Sequence, residues 1–322
     1  MRPLLNSPSR RVTPSWLACS AIFCALLVFG LIVAGAQVTS NDAGLAVPDW
    51  PLAYGQAFPD RWMEVRNVFI EHFHRIYAFA VGWTAVALAL ACQFFEPRPY
   101  VRKFSLLLPV MVLAQGLIGA ARIIAFSRLW IAMLHGIFGQ LTFAAFVTLA
   151  IFMTAAWRRA DGEQPAETGE PQHAGQFLPL ALGIFLLLQL TLGAVMRHER
   201  WGLAIPGLPL LHGALPDLSV PGAAVALLHR LLGLTVALLL ILQAVVLRGG
   251  ESRVRRIAFT LIALALAQIF LGAATVLTGR NPWLASAHTA GGALLLVGQI
   301  SLLLWLQRGA FAESAPAMAV AA

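Results

Sequence analysis

Four of the eight histidines in this 322-residue chain, His74, His135, His229 and His288, lie inside runs of apolar residues. An imidazole in hydrocarbon costs free energy unless it is hydrogen-bonded or coordinated, so such residues are functional candidates. A lone one is more often a polar contact between neighbouring helices. These four recur in matched positions. The stretch Gly44 to Gly55 returns as Gly202 to Gly213, and each copy leads into a His-Arg pair, His74-Arg75 and His229-Arg230. Further on, Ala114 to Gly136 aligns without a gap on Ala267 to Thr289, which carries His135 onto His288.

Each half of the chain therefore offers two imidazoles from different apolar helices. Zinc or copper would be expected to bring Cys, Asp or Glu ligands close by, and these are missing. A flat, apolar macrocycle whose iron takes an axial nitrogen from each face fits better. Arg75 and Arg230, near helix ends, suit bidentate pairing with porphyrin carboxylates, or equally anchoring at the membrane interface. The halves differ at one telling place. Glu71 stands one helical turn before His74, whereas the matching position of the second copy is Ala226. A carboxyl group there is costly to ionise and suited to proton transfer; the alternative is an ion pair with Arg75 or a solvated interfacial acid. The asymmetry puts the chemistry in the first half and a permanent cofactor in the second. His72 points away from His74 and reads as structural. His198 and His212 fall in the second long loop, with His212 at the repeat position of Tyr54, and His173 falls in the linker.

The elements that must position these residues are membrane helices. Hydrophobic residues make up 59% of the chain and charged ones 11%, with a mean hydropathy of +0.79, far outside the soluble range. Continuous apolar runs, each able to cross about 30 Å of hydrocarbon, begin near residues 16, 68, 104, 129, 177, 222, 256 and 283. Continuous runs exclude the alternation of barrel strands. The expectation is an all-α integral membrane protein with eight transmembrane helices. They form two tandem, same-orientation four-helix bundles, residues 16–157 and 176–307, related by pseudo-twofold symmetry. A polar linker, 158–175, joins them, and tails 1–15 and 308–322 flank them.

The net charge of +8 reports topology rather than nucleic-acid binding. More than half of the 22 Lys and Arg residues fall in the tails and the short connections, around 2–11, 98–103, 158–159, 248–256 and 308. That puts both termini in the cytoplasm. Arg66, Arg122, Arg128, Arg197 and Arg200 are assigned to the opposite loops, and Trp50, Trp62 and Trp201 to ordered caps at that surface. Gly30, Gly35, Gly119, Gly193 and Gly272 mark close helix approaches. Cys19, Cys24 and Cys92 all lie in spans, so no disulfide framework is expected, and the first span has no signal-peptide cleavage site.

From about residue 20 to residue 307 the chain resembles the haem A synthase family of bacterial and mitochondrial inner membranes. The resemblance rests on the segment Glu71-His72-Phe73-His74-Arg75, on His135, on His229-Arg230 and on His288. It implies oxidation of the C8 methyl group of haem O to a formyl group, giving haem A for terminal oxidases. It further implies a resident haem b on His229 and His288, substrate haem O on His74 and His135, and a catalytic role for Glu71. Partners in keeping with it are the lipid bilayer, haem O synthase, a membrane electron acceptor and a second copy of the chain, with no nucleic acid. Some members carry cysteine pairs in the outer loops, and this chain has none in residues 39–67 or 197–221. A diheme b-type electron carrier is the rival reading; a repeat-built transporter ranks behind it, since the polar residues cluster near one surface rather than at the midplane.

Overall fold

The computed structural model describes residues 12–125, 129–162, 177–207 and 216–308. Eight of its helices are long and apolar enough to span a bilayer. They are α1 (Ser15–Ser40), α2 (Arg66–Phe95), α3 (Pro99–Ile124), α4 (Leu129–Met153), α6 (Phe177–His198), α7 (Ala223–Val246), α8 (Ser252–Leu277) and α9 (Pro282–Leu306). Short α5 (Ala155–Gly162) follows α4 directly, so the first part of the segment read as linker is helical. The rest of that linker, with His173, and the positions of Arg128 and His212 lie outside the described residues. Among the described residues there is no strand, only the isolated bridge Ala53–Gln56.

The helix boundaries follow ordinary chemistry. Pro99 and Pro282 open α3 and α9, where a missing N–H leaves no bond unmade. The Asn281 side chain accepts from the amides of Trp283 and Leu284. Gly279, at φ +61, turns the chain out of α8.

In the first half, α1 packs on α2 and α4, and α3 closes the ring against α2 and α4. In the second half α6, α7, α8 and α9 close a ring in the same order. The rings meet through α1, α4, α6 and α9. This contact pattern is unchanged when α1–α4 are exchanged for α6–α9. One apolar core runs through the junction, from Leu17 and Ala21 through Phe146 and Leu149 to Ala293 and Leu302.

The helices α2, α4, α7 and α9 all begin on the face that carries the two long loops, and each presents its histidine within its first three turns. The loops are ordered over the described stretches. Trp62 stacks on Phe69 with ring centroids 5.8 Å apart, and the Trp201 ring lies where a side chain on Gly222 would stand. The three cysteines are free, as expected.

Candidate functional site

Each of the four histidines rests on a glycine of the preceding helix. A Cβ atom on Gly35 of α1 would come 2.9 Å from Cε1 of His74, and one on Gly119 of α3 would come 3.2 Å from Cε1 of His135. In the second half the distances are 3.2 Å from Gly193 to His229 and 3.1 Å from Gly272 to His288. Any side chain would crowd the ring. The sequence reading took these glycines for helix contacts; they are imidazole seats, repeated four times. Gly30 does the same for the hydroxyl end of Tyr77.

All four imidazoles have a buried Nδ1 without a hydrogen-bond partner, a cost that is offset only when that nitrogen itself gains a partner. His229 and His288 face each other with ring centroids 6.3 Å apart and planes at 73°. A nitrogen–metal bond of about 2 Å and a further ~1.1 Å to the ring centre on each side put two rings clasping one metal roughly 6.2 Å apart. The observed spacing fits an iron held between them. His74 and His135, seated on Gly35 and Gly119, occupy the matching places of the first half. Among the described residues no group of three or more His, Cys, Asp and Glu side chains is placed to hold a metal, so the ligation on offer is paired imidazole. That suits a macrocycle that supplies its own equatorial donors.

The arginines that follow the histidines both reach the long loops in this structure. Arg75 donates from Nη1 to the Asp49 carbonyl at 2.7 Å and from Nη2 to the Val47 carbonyl at 2.8 Å. Arg230 repeats this on the Gly207 carbonyl at 2.7 Å and the Ile205 carbonyl. The His-Arg pair is thus a clamp that holds the long loop down over the histidine. In the first loop the Asp49 carboxylate accepts from the amides of Tyr54 and Gly55, both at 2.7 Å, and these bonds hold its carboxyl below the usual range. The Tyr54 hydroxyl donates to the Ala46 carbonyl at 2.5 Å.

Glu71 is 4% exposed. Its Oε1 pairs with Arg75 at 2.7 Å and its Oε2 accepts from the Val47 amide at 2.9 Å. The ion pair is the alternative that the sequence left open, and it places the carboxylate in the clamp as well as beside His74. Each carboxylate oxygen retains acceptor capacity beyond these bonds. His72 is buried edge-on against Trp62, with centroids 4.9 Å apart, on the loop side and away from the pair, in keeping with a structural role.

Four residues assigned to loops are elsewhere: Arg66 opens α2, and the other three meet. Arg122 lies in the last turn of α3, and Arg197 and His198 close α6. All three line a cavity between the halves. The sequence counted them as charges of one sign on one side and gave no hint that they converge.

Comparison with known proteins agrees with this architecture. Residues 3–147 and 142–300 match the COX15-CtaA family, described as cytochrome oxidase assembly protein. A heme A synthase of Halalkalibacterium halodurans is 27% identical, over 83% of this chain and 90% of its own. One from Shouchella clausii is 29% identical over 80% and 85%. One from Shewanella oneidensis is 24% identical over 90% and 96%.

Proposed function

The chain belongs to the cytochrome oxidase assembly protein family matched above, and from that premise we propose that it oxidises haem O to haem A as a haem A synthase. The observation that carries the reading is the doubled set of histidines: four imidazoles seated on glycines, with His229 and His288 at the spacing that a shared iron requires. Proteins named heme A synthase align over most of the chain. Glu71 favours this reading over a diheme electron carrier, because it breaks the repeat beside His74 alone.

His229 and His288 hold the resident haem, taken as haem b, and His74 and His135 bind substrate haem O. The resident haem supplies electron transfer away from the substrate. With water as the oxygen donor, turning the methyl group into a formyl group takes one water and releases four protons and four electrons, the electrons passing to a membrane acceptor. Glu71, held by Arg75 and the Val47 amide, accepts protons on its carboxylate, whose oxygens keep acceptor capacity beyond these bonds. The loops clamped by Arg75 and Arg230 keep bulk water off the buried histidines. The long-loop face is the outer one, with both termini in the cytoplasm and the chain in the bacterial inner membrane. Haem O synthase is the natural donor of substrate.

Replacement of Glu71 by Gln tests the assignment. Haems extracted from membranes that also make haem O are separated by chromatography. The wild-type chain yields formyl-bearing haem; Glu71→Gln keeps its bound haem and yields none. Formyl haem at wild-type levels from the variant removes Glu71 from the chemistry, and none from the wild-type chain overturns the synthase reading.

A further inference from the structure

Between the two rings, on the long-loop face, lies a polar cavity of about 220 Å³. Arg122, Arg197 and His198 line its inner part, with Arg200, Asp42 and Glu199 among its exposed lining residues. Asp42 is already paired with Arg200 at 3.0 Å. Arg197 is partly buried. It donates to the Ala36 carbonyl, the Thr289 hydroxyl and, at 2.6 Å, the Ser40 hydroxyl, while its Nε is buried without a partner. Among the described residues no carboxylate pairs with it. A guanidinium charge held among neutral partners in a membrane protein is costly unless an anion joins it.

The cavity has a definite register. Arg122 stands one helical turn beyond Gly119, Thr39 one turn beyond Gly35, and Ala132 one turn before His135. Those are the seat of His135, the seat of His74, and His135 itself. Arg122 lies within electrostatic reach of His74, His135 and Glu71. Its guanidinium occupies the space that a side chain on Gly44 would need, within 2.5 Å of that Cβ. The α1, α3 and α4 lining therefore sits outward of the first histidine pair, and Arg197 reaches the cavity from beside Thr289, the neighbour of His288. Arg75, the cation nearest His74 in sequence, directs its guanidinium to loop carbonyls and to Glu71.

We propose that this cavity is the carboxylate subsite of the substrate half: Arg122 and Arg197 bind the propionate side chains of the porphyrin that His74 and His135 hold. The assignment rests on the haem reading above. Guanidinium groups bind carboxylates through paired, charge-assisted hydrogen bonds, and anchoring the acidic edge here fixes which rim of the macrocycle turns toward Glu71.

The test uses the full-length protein with its resident haem, in detergent. It is titrated optically with haem O and, separately, with haem O whose propionates are methyl esters. The wild-type protein binds the diester at least about tenfold more weakly. Arg122→Gln binds haem O several-fold more weakly than the wild type and distinguishes it from the diester less, and Arg122→Gln with Arg197→Gln no longer distinguishes the two, with resident haem content and spectrum unchanged. Equal affinity of the wild type for both ligands overturns the proposal, even if the variant folds poorly. So does discrimination in Arg122→Gln that is as large as in the wild type. Loss of resident haem from that variant with haem O affinity intact moves the carboxylate to the second pair and overturns it too. Failure of haem O itself to bind the wild-type protein removes the haem reading, a result distinct from equal binding.

Discussion

Adding one methyl group at a histidine seat should loosen the haem without unfolding the protein. In Gly272→Ala the new Cβ would stand 3.1 Å from Cε1 of His288, whereas ordinary contacts begin at 3.4 Å. The ring must therefore retreat by about 0.3 Å, beyond the ~0.2 Å within which metal–ligand distances are held. His288 is one of two rings set 6.3 Å apart, so the displacement falls directly on the span of the iron. Disturbing the groups that orient a ligand costs roughly 10- to 100-fold in metal affinity. The helix itself gains about 0.5–1 kcal/mol when Gly becomes Ala, which offsets part of the overpacking. Haem per protein by pyridine haemochrome, and the low-spin optical signature, should both fall in purified Gly272→Ala. Gly193→Ala, at 3.2 Å, should show a smaller loss, and Gly35→Ala, at 2.9 Å, the largest effect of the four, on haem O binding. Gly116→Ala is the matched control, since nothing lies within 4 Å of its Cβ. Full haem content with an unchanged spectrum in Gly272→Ala, or equal losses in Gly116→Ala, would refute the seat.

The two pairs should separate by substitution. His229→Ala and His288→Ala purify without resident haem, while His74→Ala and His135→Ala retain it and lose saturable haem O binding by optical titration. Acid should open the first long loop only below the ordinary carboxylate range. The Asp49 carboxyl, held low by the Gly55 and Tyr54 amides, titrates below its usual 3.8, so its hold is complete above that pH and is lost as the pH falls beneath it. Pepsin cleavage between Trp50 and Phe58 should therefore begin below pH 3.8 in the wild type and already occur above it in Asp49→Asn.

The spans were legible because their apolar runs are continuous and about as long as a bilayer is thick. Their starts were less so. Helices α3 and α8 begin at Pro99 and Ser252, ahead of the apolar runs, because Arg102, Lys103, Arg253 and Arg256 belong to their first turns and long side chains can carry charge to the interface. Arg253 does so over the Trp305 ring, 4.1 Å from its centroid. The histidines could be found because the repeat marks them. Their seats could have been found the same way: Gln115-Gly119, Gln189-Gly193 and Gln268-Gly272 share one spacing in three helices. The targets of Arg75 and Arg230 could not be read, because backbone carbonyls leave no trace in residue types. Nor could the meeting of Arg122 with Arg197, which depends on how the two rings dock.

That glutamine pattern is broken in one helix, and the break separates the behaviour of the two pairs. Gln189 donates to the His229 carbonyl at 2.9 Å and Gln115 to the His135 carbonyl at 3.2 Å, each an interhelical bond of about 0.6–2 kcal/mol. One turn before Gly35 the residue is Leu31, which has no amide to offer. The start of α2 is held instead through the loop, by Arg75 and Glu71 acting on Val47, and one turn deeper by the Tyr77 hydroxyl on the Leu27 carbonyl at 2.9 Å. At its own level His74 is therefore positioned through an ordered loop, with its helix tie to α1 one turn deeper, while His229 has the amide of a neighbouring helix at its own level. A pair whose geometry relaxes when a loop lifts suits a ligand that must enter and leave; a pair tied helix to helix suits one that stays. Arg75→Gln should therefore speed haem O dissociation, measured by transfer to apomyoglobin, by tenfold or more. Arg230→Gln, which releases the same carbonyls of the second loop, should change resident haem loss far less. Equal acceleration in the two halves would mean that the loops alone hold both pairs and that the glutamine contributes nothing to retention.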